Sequence, residues 1–205
     1  MTKALLLIDL QADFLPGGAL AVDEGDLIIE GVVELMGDRS FDLVVATQDW
    51  HPDDHVSFAS NNPGRSVFEV IDLHGHAQTL WPDHCVQGTP GAQLHPNLNW
   101  NRVDLILRKG SDPAVDSYSA FRNNFDAQGK RPTTGLSGYL HAHGVREVTL
   151  AGLARDYCIA WSAEDAVSAG FATRICWDLT RSVDPSGDHQ LAQRLKSLGV
   201  TIARS

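Results

Sequence analysis

Short, unbroken apolar runs alternate along the chain with longer segments whose apolar positions recur at helical spacing. The run "ALLLIDL" (4–10) has the continuous apolar character of a strand covered on both faces. "DLVVAT" (42–47), "VDLILRK" (103–109), "EVTLAGL" (147–153) and "ATRICWD" (172–178) predict further strands, with "VTIA" (200–203) a short last one. "LIIEGVVELM" (27–36) sets Ile28, Val32, Leu35 and Met36 on one helical face, behind acidic residues Asp23, Glu24 and Asp26 that suit a helix N-terminus. Helices are also predicted over 135–144, 158–170 and 187–199, each closed by a glycine suited to the position after the last turn. Strands alternating with helices predict an α/β fold, a doubly wound three-layer αβα sandwich around a central, mostly parallel sheet of about six strands. No repeat or linker divides the pattern, so a single domain over 1–205 is expected. The stretch 51–102 carries weak periodicity and many turn residues, and loops that long are usually functional.

Charge and cysteine content narrow the function classes. A formal net charge of -10 over 205 residues argues against nucleic acid or an anionic membrane as partner and leaves small molecules. No apolar run approaches the roughly 18 residues of a membrane span. The opening "MTKALLLID" turns acidic too early for a secretory signal. A reducing, cytoplasmic location is expected, where the three cysteines are better suited to reactivity or packing than to a disulfide framework.

In a doubly wound sheet, ligands bind beyond the carboxyl ends of the strands. The chain delivers Asp9, Asp49 and Lys109 to the ends of three predicted strands, and Cys158 to the start of a helix after a fourth. A cysteine at a helix N-terminus beside an ammonium is expected to have a lowered pKa and to act as a nucleophile. Asp9 is then a candidate to accept the thiol proton and return it to a leaving group. Cys85 and Cys176 begin no helix at that edge and read as packing residues.

Two imidazoles beside a carboxylate follow the second strand in "VVATQDWHPDDHVSF" (44–58). Asp49 and His51 share a face of an extended segment, and His84 reaches them only through the fold. Three protein ligands with open positions are the pattern of a catalytic metal site, although a solvated loop histidine is the ordinary alternative for each. Nitrogen and carboxylate donors admit zinc, iron(II) or manganese(II). Of the other histidines, His74 and His76 read as loop residues, with His76 nearer to an outer role around the site.

The segments "LLLIDLQADFLPGGALAV", "VVATQDWHPDDHVSF", "LWPDHCVQGTPGAQLH", "RKGSDPAVDSYSAF" and "GLARDYCIAWSAEDA" together resemble the bacterial nicotinamidase/pyrazinamidase family of isochorismatase-like cysteine hydrolases. The resemblance spans nearly the whole chain in order. It implies a catalytic triad of Asp9, Lys109 and Cys158. It also implies a cis peptide between Leu153 and Ala154, and an oxyanion hole from the Ala154 and Cys158 N–H groups. One divalent ion, zinc first, is implied on Asp49, His51 and His84, with His55 a fourth ligand in some members. Phe14, Trp81 and Tyr118 correspond to aromatic walls of the pocket. The implied reaction converts nicotinamide, and pyrazinamide as a second substrate, to the acid and ammonia through a cysteine thioester, within NAD salvage. Homo-oligomers are compatible with it. Arg155 departs from the threonine of the family pattern and lies beside the oxyanion turn. The competing readings are a related hydrolase of another amide or N-carbamoyl compound, which has no need of the metal ligands, and a non-enzymatic binding module.

Overall fold

The computed structural model describes residues 2–205. Along the chain run β1 (Thr2–Ile8), α1 (Ile29–Gly37), β2 (Leu43–Asp49), β3 (Val70–Leu73), β4 (His76–Thr79), β5 (Leu105–Lys109) and α2 (Leu136–Ala142). They are followed by β6 (Val145–Leu153), α3 (Ala160–Ser168), β7 (Ala172–Arg181), α4 (Asp188–Ser197) and β8 (Thr201–Ala203). Six strands form one sheet in the order β5-β2-β1-β6-β7-β8, and each neighbouring pair is parallel. The central strands are the continuous apolar runs: Leu5, Leu6, Leu7 and Ile8 of β1 and Val148, Leu150, Ala151 and Leu153 of β6 are all buried. Helices cover the sheet. On α1 the buried residues include Ile28 at its start, Val32 and Met36, as the periodicity predicts, with Leu35 packed at the margin.

Three departures from the sequence pattern have a local reason. β1 ends at Ile8 because Asp9 takes a left-handed conformation, φ 48°, that no strand can continue. The predicted helix 158–170 begins instead as a widened turn over Arg155–Ile159, in which the Ile159 N–H donates to the Ala154 carbonyl five residues back at 3.0 Å. An antiparallel β3–β4 hairpin lies inside the long 51–102 stretch. It is short and mostly exposed, so it carries little apolar signal.

The chain steps from β1 to β2 and β5 on one side, then returns to the other side of β1 for β6, β7 and β8. The direction of winding therefore reverses between β1 and β6, which opens a crevice at their carboxyl ends. Gly152 permits the close approach of these two strands: at φ 125°, a Cβ there would collide with the Ile8 backbone. Among the described residues, no helix is long and apolar enough to cross a membrane.

Candidate active site

The four adjacent strands β5, β2, β1 and β6 each bring one chemical group to the crevice. Lys109 and Asp49 end β5 and β2 in direct register. Asp9 follows β1, and Cys158 sits in the widened turn after β6. The Lys109 Nζ is the hub: it lies 3.0 Å from Asp9 Oδ2, 2.8 Å from Asp49 Oδ1 and 3.6 Å from Cys158 Sγ. It also donates to the Ser117 carbonyl at 2.9 Å. All four site residues are buried.

Burial sets the proton affinities here, and the neighbours modify it. Desolvation raises the Asp9 carboxyl above its ordinary value, although the Lys109 ammonium opposes it. Thr47 steadies Asp9 from β2: its hydroxyl donates to Oδ1 at 2.6 Å and accepts the Asp9 N–H at 3.1 Å. The other carboxylate oxygen, Oδ2, touches Lys109 but has no aligned hydrogen-bond donor. Against burial, Asp49 and Asp9 hold Lys109 well above the usual lysine range, so it stays an ammonium. The Cys158 thiol is pushed well above its ordinary value by burial, with Asp9 and Asp49 adding to the effect and Lys109 opposing it. The lowered thiol pKa expected from the helix terminus is therefore corrected: desolvation outweighs the single ammonium.

The histidines meet on the outer side of Asp49. His51 Nε2 is 3.2 Å and His84 Nε2 3.8 Å from Asp49 Oδ2. The opposite ring nitrogens are occupied: His51 Nδ1 lies 2.9 Å from the Gly110 carbonyl and His84 Nδ1 2.8 Å from the Pro82 carbonyl. Each carbonyl accepts from the Nδ1–H, and in the neutral ring this leaves the lone pair on Nε2. Burial, with His51 next, pushes His84 down to about 4 and also lowers His55. Against burial, Asp49 raises His51; Lys109, followed by His51 and His84, holds Asp49 well below the carboxylate range. Asp49, His51 and His84 present three ligand atoms within 4.8 Å of one another. His55 packs its ring 4.2 Å from His51, and its buried Nε2 has no hydrogen-bond partner. Such a donor set, with a buried orphan nitrogen beside it, fits a divalent cation.

A pocket joins the two clusters, lined by Cys158 on one side and by Asp49, His51 and His84 on the other. Phe14, Trp81 and Tyr118 line it, with the Trp81 indole N–H donating to the Tyr118 hydroxyl at 3.2 Å. Ala154 and Cys158 form its floor beside the cis peptide linking Leu153 and Ala154. Leu20, Tyr157, Val183 and Asp116 also line it and carry no sequence signal of that role, although Leu20, Asp116 and Tyr157 lie within the segments that carry the family resemblance. Asp116 forms a second group with His51 and His55, while accepting from Gln78 and the Ser117 N–H at 2.7 Å each. Gln11 was equally silent in sequence; its amide grips the Asp49 backbone through bonds of 2.8 and 2.7 Å. His76 does not line the pocket: it is exposed, and its ring stacks on that of Phe125 with the centroids 3.6 Å apart.

Comparison with known proteins agrees with this geometry. Residues 3–205 match the Isochorismatase domain family. A nicotinamidase of Acinetobacter baylyi is 44% identical over 198 residues, covering 96% of this chain and 90% of its own length. The nicotinamidase/pyrazinamidase of Mycobacterium tuberculosis is 34% identical over 206 residues, covering 99% of each chain. Among solved structures, a nicotinamidase/pyrazinamidase from Acinetobacter baumanii superposes with a TM-score of 0.92 at 45% identity, over 99% of this chain and 96% of that one. The L. infantum PnC1 structure holds nicotinate; its TM-score is 0.86 at 38% identity, covering 99% and 92%. The Pyrococcus horikoshii pyrazinamidase, in complex with zinc, gives 0.79 at 32% identity, covering both chains fully. The chain belongs to the isochorismatase family, among its nicotinamidase/pyrazinamidase hydrolases.

Proposed function

We propose that the protein is a metal-dependent nicotinamidase, a single hydrolase domain converting nicotinamide to nicotinate and ammonia, with pyrazinamide a second substrate and NAD salvage its setting. The observation that carries this reading is the convergence of Asp9, Cys158 and Asp49 on one buried ammonium, Lys109 Nζ, with Cys158 and Asp49 themselves lining an aromatic-walled pocket.

The chemistry follows from the proton affinities. A buried neutral thiol needs a base at the moment of attack, and Asp9 is that base. As Cys158 Sγ bonds to the carboxamide carbon, Asp9 takes the thiol proton, and the amide oxygen becomes an oxyanion. The Ala154 and Cys158 N–H groups receive that charge, a contribution of roughly 3–4 kcal/mol per donor. Asp9 then gives its proton to the departing ammonia, leaving a thioester. Water, deprotonated by Asp9, attacks the thioester carbon and expels the thiolate, which recovers a proton. Lys109, permanently charged, holds Asp9 in register and stabilises the transient thiolate. Trp81, Tyr118 and Phe14 exclude water and hold a flat ring by edge contacts.

Asp49, His51 and His84 would hold the divalent ion, with His55 beside them; bound there, it would fix and polarise the pyridine ring through its nitrogen. Zinc has the support of the Pyrococcus relative's complex, and iron(II) or manganese(II) suit the same donors. This cluster is what favours a ring-nitrogen substrate over another amide or N-carbamoyl compound. The test is ammonia release from nicotinamide with bound metal assayed on the same sample. Nicotinate and ammonia in equal amounts, with about one ion per chain, is the expected result; inert protein carrying stoichiometric metal would overturn it.

A further inference from the structure

Arg155 begins the turn that carries Cys158, yet its side chain makes no hydrogen bond to Asp9, Lys109, Cys158 or the histidines. It runs the other way, buried, to the end of β7. Nε donates to Thr180 Oγ1 at 2.8 Å, and one terminal nitrogen donates to the carbonyls of Trp177 and Thr180 at 2.8 and 2.6 Å. The other pairs with Asp188 at the start of α4, which itself accepts from the Ser182 hydroxyl. The guanidinium lies 4.2 Å over the Trp177 ring. The next residue repeats the connection: the Asp156 carboxylate accepts from the Val183 and Asp184 N–H groups at 2.9 Å each. Val183, held between these two sets of bonds, is a wall of the active pocket.

We infer that Arg155, with Asp156, is a positioning residue that latches the oxyanion turn to the Val183 segment and so fixes both the hole and one wall of the pocket. The inference rests on the hydrolytic reading above. A guanidinium suits this task because its rigid fork of donors binds two carbonyls, a hydroxyl and a carboxylate at once. Shortening it would strip one donor from each of those acceptors, leaving the Trp177 carbonyl only Thr180, the Thr180 carbonyl only Arg181 and Asp188 only Ser182, and would free the turn on the other side. The reacting geometry tolerates little of this, since a displacement of about 1 Å can cost on the order of 100-fold in rate.

The test compares turnover with the binding of pyridine-3-carbaldehyde. This aldehyde adds the Cys158 thiol across its carbonyl: the C–S bond forms, the C–O π bond opens onto the oxyanion site, and the thiol proton passes to Asp9. Its affinity therefore reads the hole, whereas nicotinamide KM and bound metal read the ring-binding side. In Arg155→Met, kcat is expected to fall about 10- to 100-fold and aldehyde Ki to rise by a similar factor. KM should rise less than Ki, because it reports the Val183 wall and not the hole, and metal content should stay within about twofold, since the Arg155 side chain bonds neither Asp49 nor the histidines. Arg155→Lys should recover part of the loss, and Asp156→Asn should shift kcat and Ki in the same direction. If Arg155→Met does not fold, the Lys and Asn variants decide. Unchanged kcat in a folded variant, or a fall in kcat with aldehyde affinity intact, would overturn the inference. Wild-type protein that neither releases ammonia nor binds the aldehyde would instead refute the hydrolytic reading itself.

Discussion

Gly110 follows the hub lysine at φ 67°, and a Cβ there would strike the His51 ring whose Nδ1 its carbonyl receives. Gly110→Ala should therefore displace His51 and weaken metal binding about 10- to 100-fold, measured as metal retained after dialysis against graded chelator. Thr47 acts on the neighbouring cluster. Its hydrogen bond to Asp9 favours the carboxylate and so lowers the Asp9 pKa against the dominant burial. Thr47→Val removes that bond, so Asp9 protonates more readily and the acidic limb of kcat/KM should move to higher pH; a limb unmoved, or moved to lower pH, would count against Asp9 as the base. The reactive residues were legible because carboxylate, lysine and cysteine at strand ends are unusual enough to notice. Thr47, Gln11 and Asp116 were not, because each gains its meaning from partners about forty positions away (Thr47 from Asp9, Gln11 from Asp49, Asp116 from Gln78). Nothing in their immediate neighbours separates them from ordinary polar residues.

At the scale of elements, apolar runs identified every strand of the main sheet, most plainly the central β1 and β2, whose burial on both faces leaves few polar positions to confuse the pattern, while β5 and β8 at the edges are partly exposed. Leu6 in β1 is such a residue, 1% exposed and flanked by partner strands on both sides. Leu6→Ala should cost about 2–5 kcal/mol, read as a lower urea midpoint at unchanged slope. The widened turn over Arg155–Ile159 was not legible, because "RDYCI" has the composition of an ordinary helix start. It matters chemically: Cys158 sits within that turn, beneath the pocket, before regular α3 begins. The β3–β4 hairpin escaped notice for the opposite reason, having almost no buried face.

Across the whole molecule, the winding reversal between β1 and β6 explains why one edge of one sheet holds the Cys158 thiol, the Asp9 carboxyl, the Lys109 ammonium and the cluster of Asp49, His51 and His84. The two clusters share Asp49, whose Oδ1 meets Lys109 and whose Oδ2 meets His51 and His84. They are otherwise built from separate loops, so metal and thiol should be separable in experiment. Chelation is expected to raise KM or lower the rate while Cys158 remains open to alkylation by iodoacetamide. Loss of thiol reactivity together with the metal would mean that the ion holds the fold. If the Cys158 sulfur forms the bond that breaks the amide, Cys158→Ala should fold with wild-type metal content and release no ammonia from nicotinamide above background; near-normal ammonia release from that variant would mean that another group attacks the carboxamide.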